Sequence, residues 1–193
     1  MRRISLLILA TMVSAGLANS QESKRPNPFL SEYTTPFKVP PFDLIDYEHY
    51  IPAFKQGIEE QKKEIEAIVN DDKPANFENT ILAFDKSGYL LTKVGTVFYS
   101  LNGANTTPEL QKIAREISPL VTEHRDNINL NDKLFQRIKT VYLNRNNANL
   151  SDLQKRTVEK YYNDFVRNGA DLNDADKAKL REINQKLSKL GLK

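Results

Sequence analysis

Few residues in this chain have types and spacing suited to chemistry. His49 lies in DYEHYIP and His124 in VTEHRDN, and they are the only two histidines. A helical zinc site of the H-E-x-x-H kind needs a second histidine four residues from the first. Neither has one, so both read as structural or exposed histidines. Glu59, Glu60, Glu64 and Glu66 put four carboxylates within eight residues. Paired carboxylates do general acid and base work only when their environments push their pKa values apart. On a charged helix this cluster reads as a solvated face. Tyr161 and Tyr162 could line a ligand groove, and at least one reads as core. No serine sits in a G-x-S-x-G elbow, and no glycine-rich loop could cradle a phosphate. Asn105 in NTT and Asn149 in NLS match a glycosylation acceptor, a weak pattern that matters only in a suitable host. No catalytic, cofactor-binding or metal-ligating residue is assigned from these patterns.

The elements that would position such residues begin after a leader. MRRISLLILATMVSAGLANS has a basic start at Arg2 and Arg3, an apolar run, and small residues at Ala18 and Ser20. This is the pattern of a secretory signal peptide over residues 1–20. The apolar run is short for a membrane span, although a short uncleaved anchor stays open. The expected location is export, to the periplasm of a bacterium. Losing Arg2 and Arg3 takes the formal charge from +3 to +1. With no basic block in the rest, nucleic acid is not an expected partner. Nor is a membrane, once the signal is cleaved. The chain has no cysteine, which excludes disulfides, thiolate chemistry and Cys-ligated zinc.

Residues 21–46 form a proline-rich arm with Pro26, Pro28, Pro36, Pro40 and Pro41. Each proline removes a backbone donor and restricts its predecessor. Phe29, Leu30, Phe37, Val39, Phe42, Leu44 and Ile45 make the arm too apolar for a linker. It is expected to lie extended in grooves between helices.

From residue 47 to 193 the periodicity is helical, and the fold class is all-α: an antiparallel multi-helix domain. The first helix runs from about Tyr47 to Val69, with Pro52 tolerable only in its first turn. The second is long, from about Phe77 to Leu101, capped by Asn76. Its seam of Ile81, Phe84, Gly88, Leu91, Gly95 and Phe98 would let a neighbour approach at the glycines. A break at Gly88 is the open alternative. Thr107 and Pro108 open a third helix, which Pro119 should kink or end early. A fourth covers about Asp132 to Asn144. A fifth starts at a Ser151/Gln154 capping box, carries Leu153, Val158, Tyr161, Tyr162 and Phe165, and stops at Gly169. The last opens at Asn173 or Asp174. It carries Leu180, Ile183, Leu187 and Leu190 on one stripe that needs something to bury it.

The motifs say more than the periodicity. In order come NPFL, TTPFKVPPFDLI, HYIPAFKQGIEEQKKEIEAI and PANFENTILAFDKSGYLLTKVGTVFYSLNGANTTPELQ. RTVEKYYNDFVRNGADL and DKAKLREINQKLSKL follow. From about Asn27 to Lys193 this succession resembles the N-terminal region of the bacterial peptidyl-dipeptidases. These dipeptidyl carboxypeptidases belong to the thimet oligopeptidase and neurolysin family of zinc metallopeptidases. The FENTILAFDKSGYLL and YIPAF segments carry the resemblance best.

The resemblance implies a helical wall of a substrate channel that admits short peptides. It implies a zinc site on a later H-E-x-x-H helix with a further glutamate, and release of C-terminal dipeptides from oligopeptides. No residue here matches a zinc ligand or the general base, so no cofactor is expected in this chain and no catalytic role carries over. The expected partners are short peptides, through the full-length enzyme, and a missing C-terminal catalytic domain. The chain is expected to be truncated before the zinc site and inactive alone. The alternative is a non-catalytic helical module for peptide binding or docking.

Overall fold

The computed structural model describes residues 25–191. The signal-peptide reading of residues 1–20 and the first residues of the arm lie outside it. Among the described residues the fold is all-α, with no strand.

The arm enters first. Asn27 caps a short 3-10 turn, Pro28–Leu30, and its side-chain amide also donates to the His49 carbonyl at 2.8 Å. This seats Phe29 in the core at 1% exposure. Lys93 holds the exit: its ammonium donates to the Phe29 carbonyl at 2.9 Å and lies 3.9 Å from the Tyr33 ring centre. Beyond that point the expectation of a groove-bound arm fails. Phe37 and Lys38 adopt left-handed backbone at φ 59 and 55. Phe37 stands 99% exposed, and Val39, Phe42 and Leu44 are also exposed. The prolines forbid a helix here, and the left-handed pair turns the chain away from the body.

Helix α1, Tyr47–Val69, follows. Asp46 and His49 make a reciprocal cap: the Asp46 amide donates to His49 Nδ1 at 2.9 Å. Pro52 falls in the second turn, one turn later than expected. The carbonyl it deprives of a partner belongs to Glu48, which is exposed, so water can replace the lost bond.

The second helix is not continuous. FENTIL forms a π-helical turn, Phe77–Leu82, which runs into a short α2, Ala83–Lys86. Ser87 is then extended and Gly88 left-handed at φ 72, and α3 spans Tyr89–Ala104. The break at Gly88 is the correct alternative. Glu64 of α1 accepts from the Gly88 amide at 2.7 Å and fixes the corner. Of the two seam glycines, Gly88 lies hard against the Gln61 side chain of α1 and Gly95 does not mark a close approach. A Cβ on Gly88 would strike Gln61, and one on Gly95 would find only ordinary contacts. The close approach is at Gly57 of α1, where a Cβ would lie 2.8 Å from the Leu91 backbone nitrogen.

Helix α4, Pro108–Asn129, passes through Pro119 without ending. The carbonyl freed there belongs to exposed Arg115. Helices α5, Asp132–Asn144, α6, Asp152–Arg167, and α7, Asp174–Leu190, complete the chain. The Ser151/Gln154 capping box is present. Gly169 stops α6 at φ 89, with the Ala170 amide returning to the Phe165 carbonyl at 3.0 Å. Leu153 sits in the first turn of α6 and is exposed, not on its buried face.

Helix α3 returns antiparallel to α1, so α4 runs parallel to α1: Lys55 meets Glu116 and Gln61 meets His124. Helix α1 joins two cores. Its first half packs Tyr50 and Phe54 against Phe29, Val94, Phe98 and Ile117. Its second half packs Ile65 and Ile68 against Ile81, Leu134, Ile138 and Phe165.

Candidate functional site

Each residue singled out from the sequence has a definite place. His49 is buried and spends Nδ1 on the α1 cap. His124 is buried in α4, with Nε2 2.8 Å from Gln61 Oε1. The two histidines meet different partners and form no joint site. The four glutamates do not act as a pair either. Glu59 lies 2.5 Å from the Lys62 ammonium, which holds its carboxyl below the usual range through hydrogen bonding and charge. Glu60 accepts from Gln56 at 2.8 Å. Glu64 is the exception to a purely solvated face, because it caps the corner at Gly88.

The two tyrosines belong to the second core. Tyr162 stacks on Tyr142 at 4.0 Å between ring centres and on Phe135 at 5.9 Å. Tyr161 packs edge-on against Phe84 and donates to the Asp85 carboxylate. Burial first, then the bond to Asp85, pushes its hydroxyl far above the ordinary phenol range. That hydroxyl is fixed as a donor and is unsuited to act as a base. Asn105 and Asn149 are both exposed.

The cleft nearest to a site lies between α1 and α4. It has a volume of about 410 Å³ and is lined by Lys55, Ile58, Glu59, Lys62, Leu120, Glu123, His124 and Asn127. Burial, helped by the Lys62 charge and opposed by Glu59, lowers the His124 pKa below its ordinary value. The neutral ring suits its bond to Gln61, while Nδ1 is buried without a partner. An unfolded imidazole titrates near ~6.5. Below that pH the unfolded chain gains a proton that the folded chain refuses. Stability present above about pH 6.5 is thus lost as the pH falls toward the lowered folded value, by up to about 1.4 kcal/mol per pH unit. Urea midpoints should drop between pH 7.5 and 5.5, and His124→Gln should flatten part of that drop. An equal drop in both proteins would remove His124 as its source.

The residues that hold the FENTIL segment were only partly visible in the sequence. Asn76 and Asn79 cap each other, the Asn79 amide donating to Asn76 Oδ1 at 2.8 Å and the Asn76 amide to Asn79 Oδ1 at 2.9 Å. The Asn79 side chain also donates to Asp71 Oδ2 at 3.0 Å and to the Pro74 carbonyl at 3.1 Å. Arg137 of α5 donates to the Asp71 carbonyl at 2.8 Å from the far side. The spacing of Asn76 and Asn79, a cap with a polar residue three positions on, was the available signal. The segment is thus a structural clasp that ties the α1–α2 connection to α5.

A peptidase zinc needs three protein ligands with an open fourth position. Among the described residues no three of His, Cys, Asp and Glu converge to hold a metal. The residues present do not fit zinc, so no step through a metal is assigned to them. No helix among the described residues is long and apolar enough to cross a membrane.

No protein-family profile matches the chain. Individual proteins do. The chain is 40% identical over 164 residues to the dipeptidyl carboxypeptidase of Escherichia coli strain K12, covering 85% of this chain and 24% of that protein. It is 39% identical over 158 residues to the Salmonella typhimurium dipeptidyl carboxypeptidase, covering 82% of this chain and 23% of that protein. It is 27% identical over 165 residues to Escherichia coli oligopeptidase A, covering 86% of this chain and 24% of that protein. The chain spans about a quarter of the length of the relatives it matches.

Proposed function

We propose, from a chain that is homologous over most of its length to about a quarter of the dipeptidyl carboxypeptidases and oligopeptidases, that it forms the substrate-channel wall of a zinc metallopeptidase. The whole enzyme removes C-terminal dipeptides from short oligopeptides, and this part is inactive by itself. It corresponds to the N-terminal region of such an enzyme and is exported to the periplasm. Its partners are the catalytic part of the enzyme, which carries the zinc, and through it short peptides.

The observation that carries this reading is the 40% identity over 164 residues. The roles found for the individual side chains agree with a wall. His49 caps a helix, Glu64 fixes a corner and the FENTIL clasp joins two helices. These residues build shape and leave the chemistry to another part.

The test is a chimera of the Escherichia coli dipeptidyl carboxypeptidase in which this chain replaces the matching quarter. Dipeptide release from a blocked tetrapeptide is followed by mass spectrometry. The chimera should keep measurable activity, and the purified chain with added zinc should have none. Chelator-sensitive dipeptide release by the chain alone would overturn the inactivity. A folded chimera without activity would overturn the wall.

A further inference from the structure

A line of hydrogen bonds runs from α4 through α1 to the corner between α2 and α3. His124 of α4 is buried at 3% exposure, and its Nε2 lies 2.8 Å from Gln61 Oε1. An amide oxygen only accepts, so Nε2 carries the proton. Gln61 Nε2 in turn donates to Ser87 Oγ at 3.2 Å, and Ser87 Oγ donates to the Phe84 carbonyl at 2.8 Å. The Ser87 hydroxyl has one proton and uses it on Phe84, so it must accept from Gln61. That sets the orientation of the Gln61 amide and, through it, the tautomer of His124.

Gln61 is also the floor of the corner. Its side-chain amide leaves no room for a Cβ on Gly88. One turn along α1, Glu64 accepts from the Gly88 amide at 2.7 Å. At this corner the chain passes from one core to the other. Ile81 and Phe84, before it, belong to the second core, and Leu90 and Val94, after it, belong to the first. A side chain that holds the corner therefore holds the junction of the two cores.

The ring at the far end of this wire has no place for a second proton. Nδ1 is buried with no partner. A proton there would be a buried donor without an acceptor, on a buried cation. The charged groups that line the cleft beside the ring are Lys55, Glu59 and Lys62 of α1 and Glu123 of α4 itself. Lys62 opposes a charged ring and Glu59 favours it, but Glu59 is already paired with Lys62 at 2.5 Å. Lys55 lies 3.4 Å from Glu116. Glu64, at the corner, is engaged by the Gly88 amide. A charged ring is satisfied only by moving into the cleft of about 410 Å³ that it lines, where water and Glu123 can meet it. That movement breaks the bond to Gln61.

We propose that the wire from His124 through Gln61 to Ser87 is an acid-operated latch on the corner between α2 and α3. When His124 takes a second proton, its ring leaves Gln61 for the cleft. The Gln61 amide, freed at one end, lets the Ser87–Gly88 corner open while both cores stay packed. An exposed imidazole titrates near ~6.5 and a buried one lower. The open form therefore binds a proton that the closed form refuses, and opening grows as the pH falls below about 6.5. The latch belongs to this chain's own fold and holds whether or not the peptidase reading does.

The test is amide hydrogen exchange on the full chain, followed by NMR and expressed as protection factors at about pH 7.5 and 5.5, a window above the ordinary carboxyl range. The Ser87 and Gly88 amides should lose about tenfold in protection across it. The loss should be the same in about 1 M urea, because a local opening exposes little surface. The Ile117 and Ile138 amides, deep in the two cores, should be far better protected and should respond to urea. In His124→Gln the corner amides should show the same protection at both pH values. Ser87→Ala cuts the wire and leaves the ring in place. There the step at Gly88 should fall below about threefold while the His124 ring still titrates. Corner protection that ignores pH in the parent chain would overturn the proposal, and that measurement needs no variant. So would corner amides that exchange only together with Ile117 and Ile138, or an undiminished step in either variant.

Discussion

Replacing Phe98 with alanine should lower the unfolding free energy by about 3–5 kcal/mol, the range for a large buried aromatic. Phe98 has no exposed surface. Its ring stands 5.2 Å from Tyr50, 5.6 Å from Phe54 and 5.3 Å from Tyr99, all in edge-on arrangements. Such pairs add to the area they bury. The cavity left behind would be bounded by two helices and the arm. Collapse would require α3 to move toward α1, and Gly57 already holds their backbones in contact. The site therefore cannot relax cheaply. Urea denaturation followed by circular dichroism gives the number. A loss below about 1.5 kcal/mol would mean that this first core is far more plastic than its packing indicates.

Gly57→Ala and Gly95→Ala should move stability in opposite directions, though both place alanine in a helix. Alanine is favoured over glycine in a helix interior by about 1 kcal/mol. At Gly95 the new methyl would meet the Tyr99 ring at 3.8 Å, an ordinary contact, so the propensity gain survives. At Gly57 it would lie 2.8 Å from the Leu91 nitrogen and 2.9 Å from its Cα. These are backbone atoms and cannot rotate aside. Helices α1 and α3 would have to separate, and overpacking of this kind costs about 1–3 kcal/mol or more. The net effect at Gly57 should be a loss, and larger side chains there should prevent folding. Thermal melts of the two variants beside the parent chain decide it. Equal shifts would show that the interhelical distance is not set at this point.

The helices whose boundaries depend on local rules were legible. Tyr47–Val69 and Asp132–Asn144 follow from apolar periodicity, and Thr107–Pro108, Ser151–Gln154 and Gly169 follow from capping chemistry. What stayed hidden depended on partners distant in sequence. Gly88 and Gly95 share a seven-residue spacing, yet one turns a corner and the other sits mid-helix. The difference comes from Glu64, which caps the first. Pro119 signals an interruption in the sequence, because a missing donor costs a hydrogen bond. That cost is small where the orphaned carbonyl faces water. Gly57 carried no local signal, since its importance depends on which residue of α3 lies opposite.

The same distinction applies to the candidate chemistry. That His49 and His124 lack zinc-motif spacing was visible directly. That Glu64 is a cap and Tyr161 a donor to Asp85 was not, because each partner lies more than twenty residues away. The spacing alone gives the apolar stripe of α7 but not that Ile183, Leu187 and Leu190 are each more than half exposed, because the contact that helps set the helix's rotation, Asn184 donating to Asp126 Oδ1, lies on another helix.

Helix α1 also bears on how such a chain can be dissected. Its 23 residues serve as wall for both cores, Tyr50 and Phe54 at one end, Ile65 and Ile68 at the other. A cut before α1 strands Phe29, and a cut after it removes the surface on which α5 closes. The segment offers no seam for a natural splice or an engineered swap. Exchange between relatives must therefore move the two halves together, as one inherited unit.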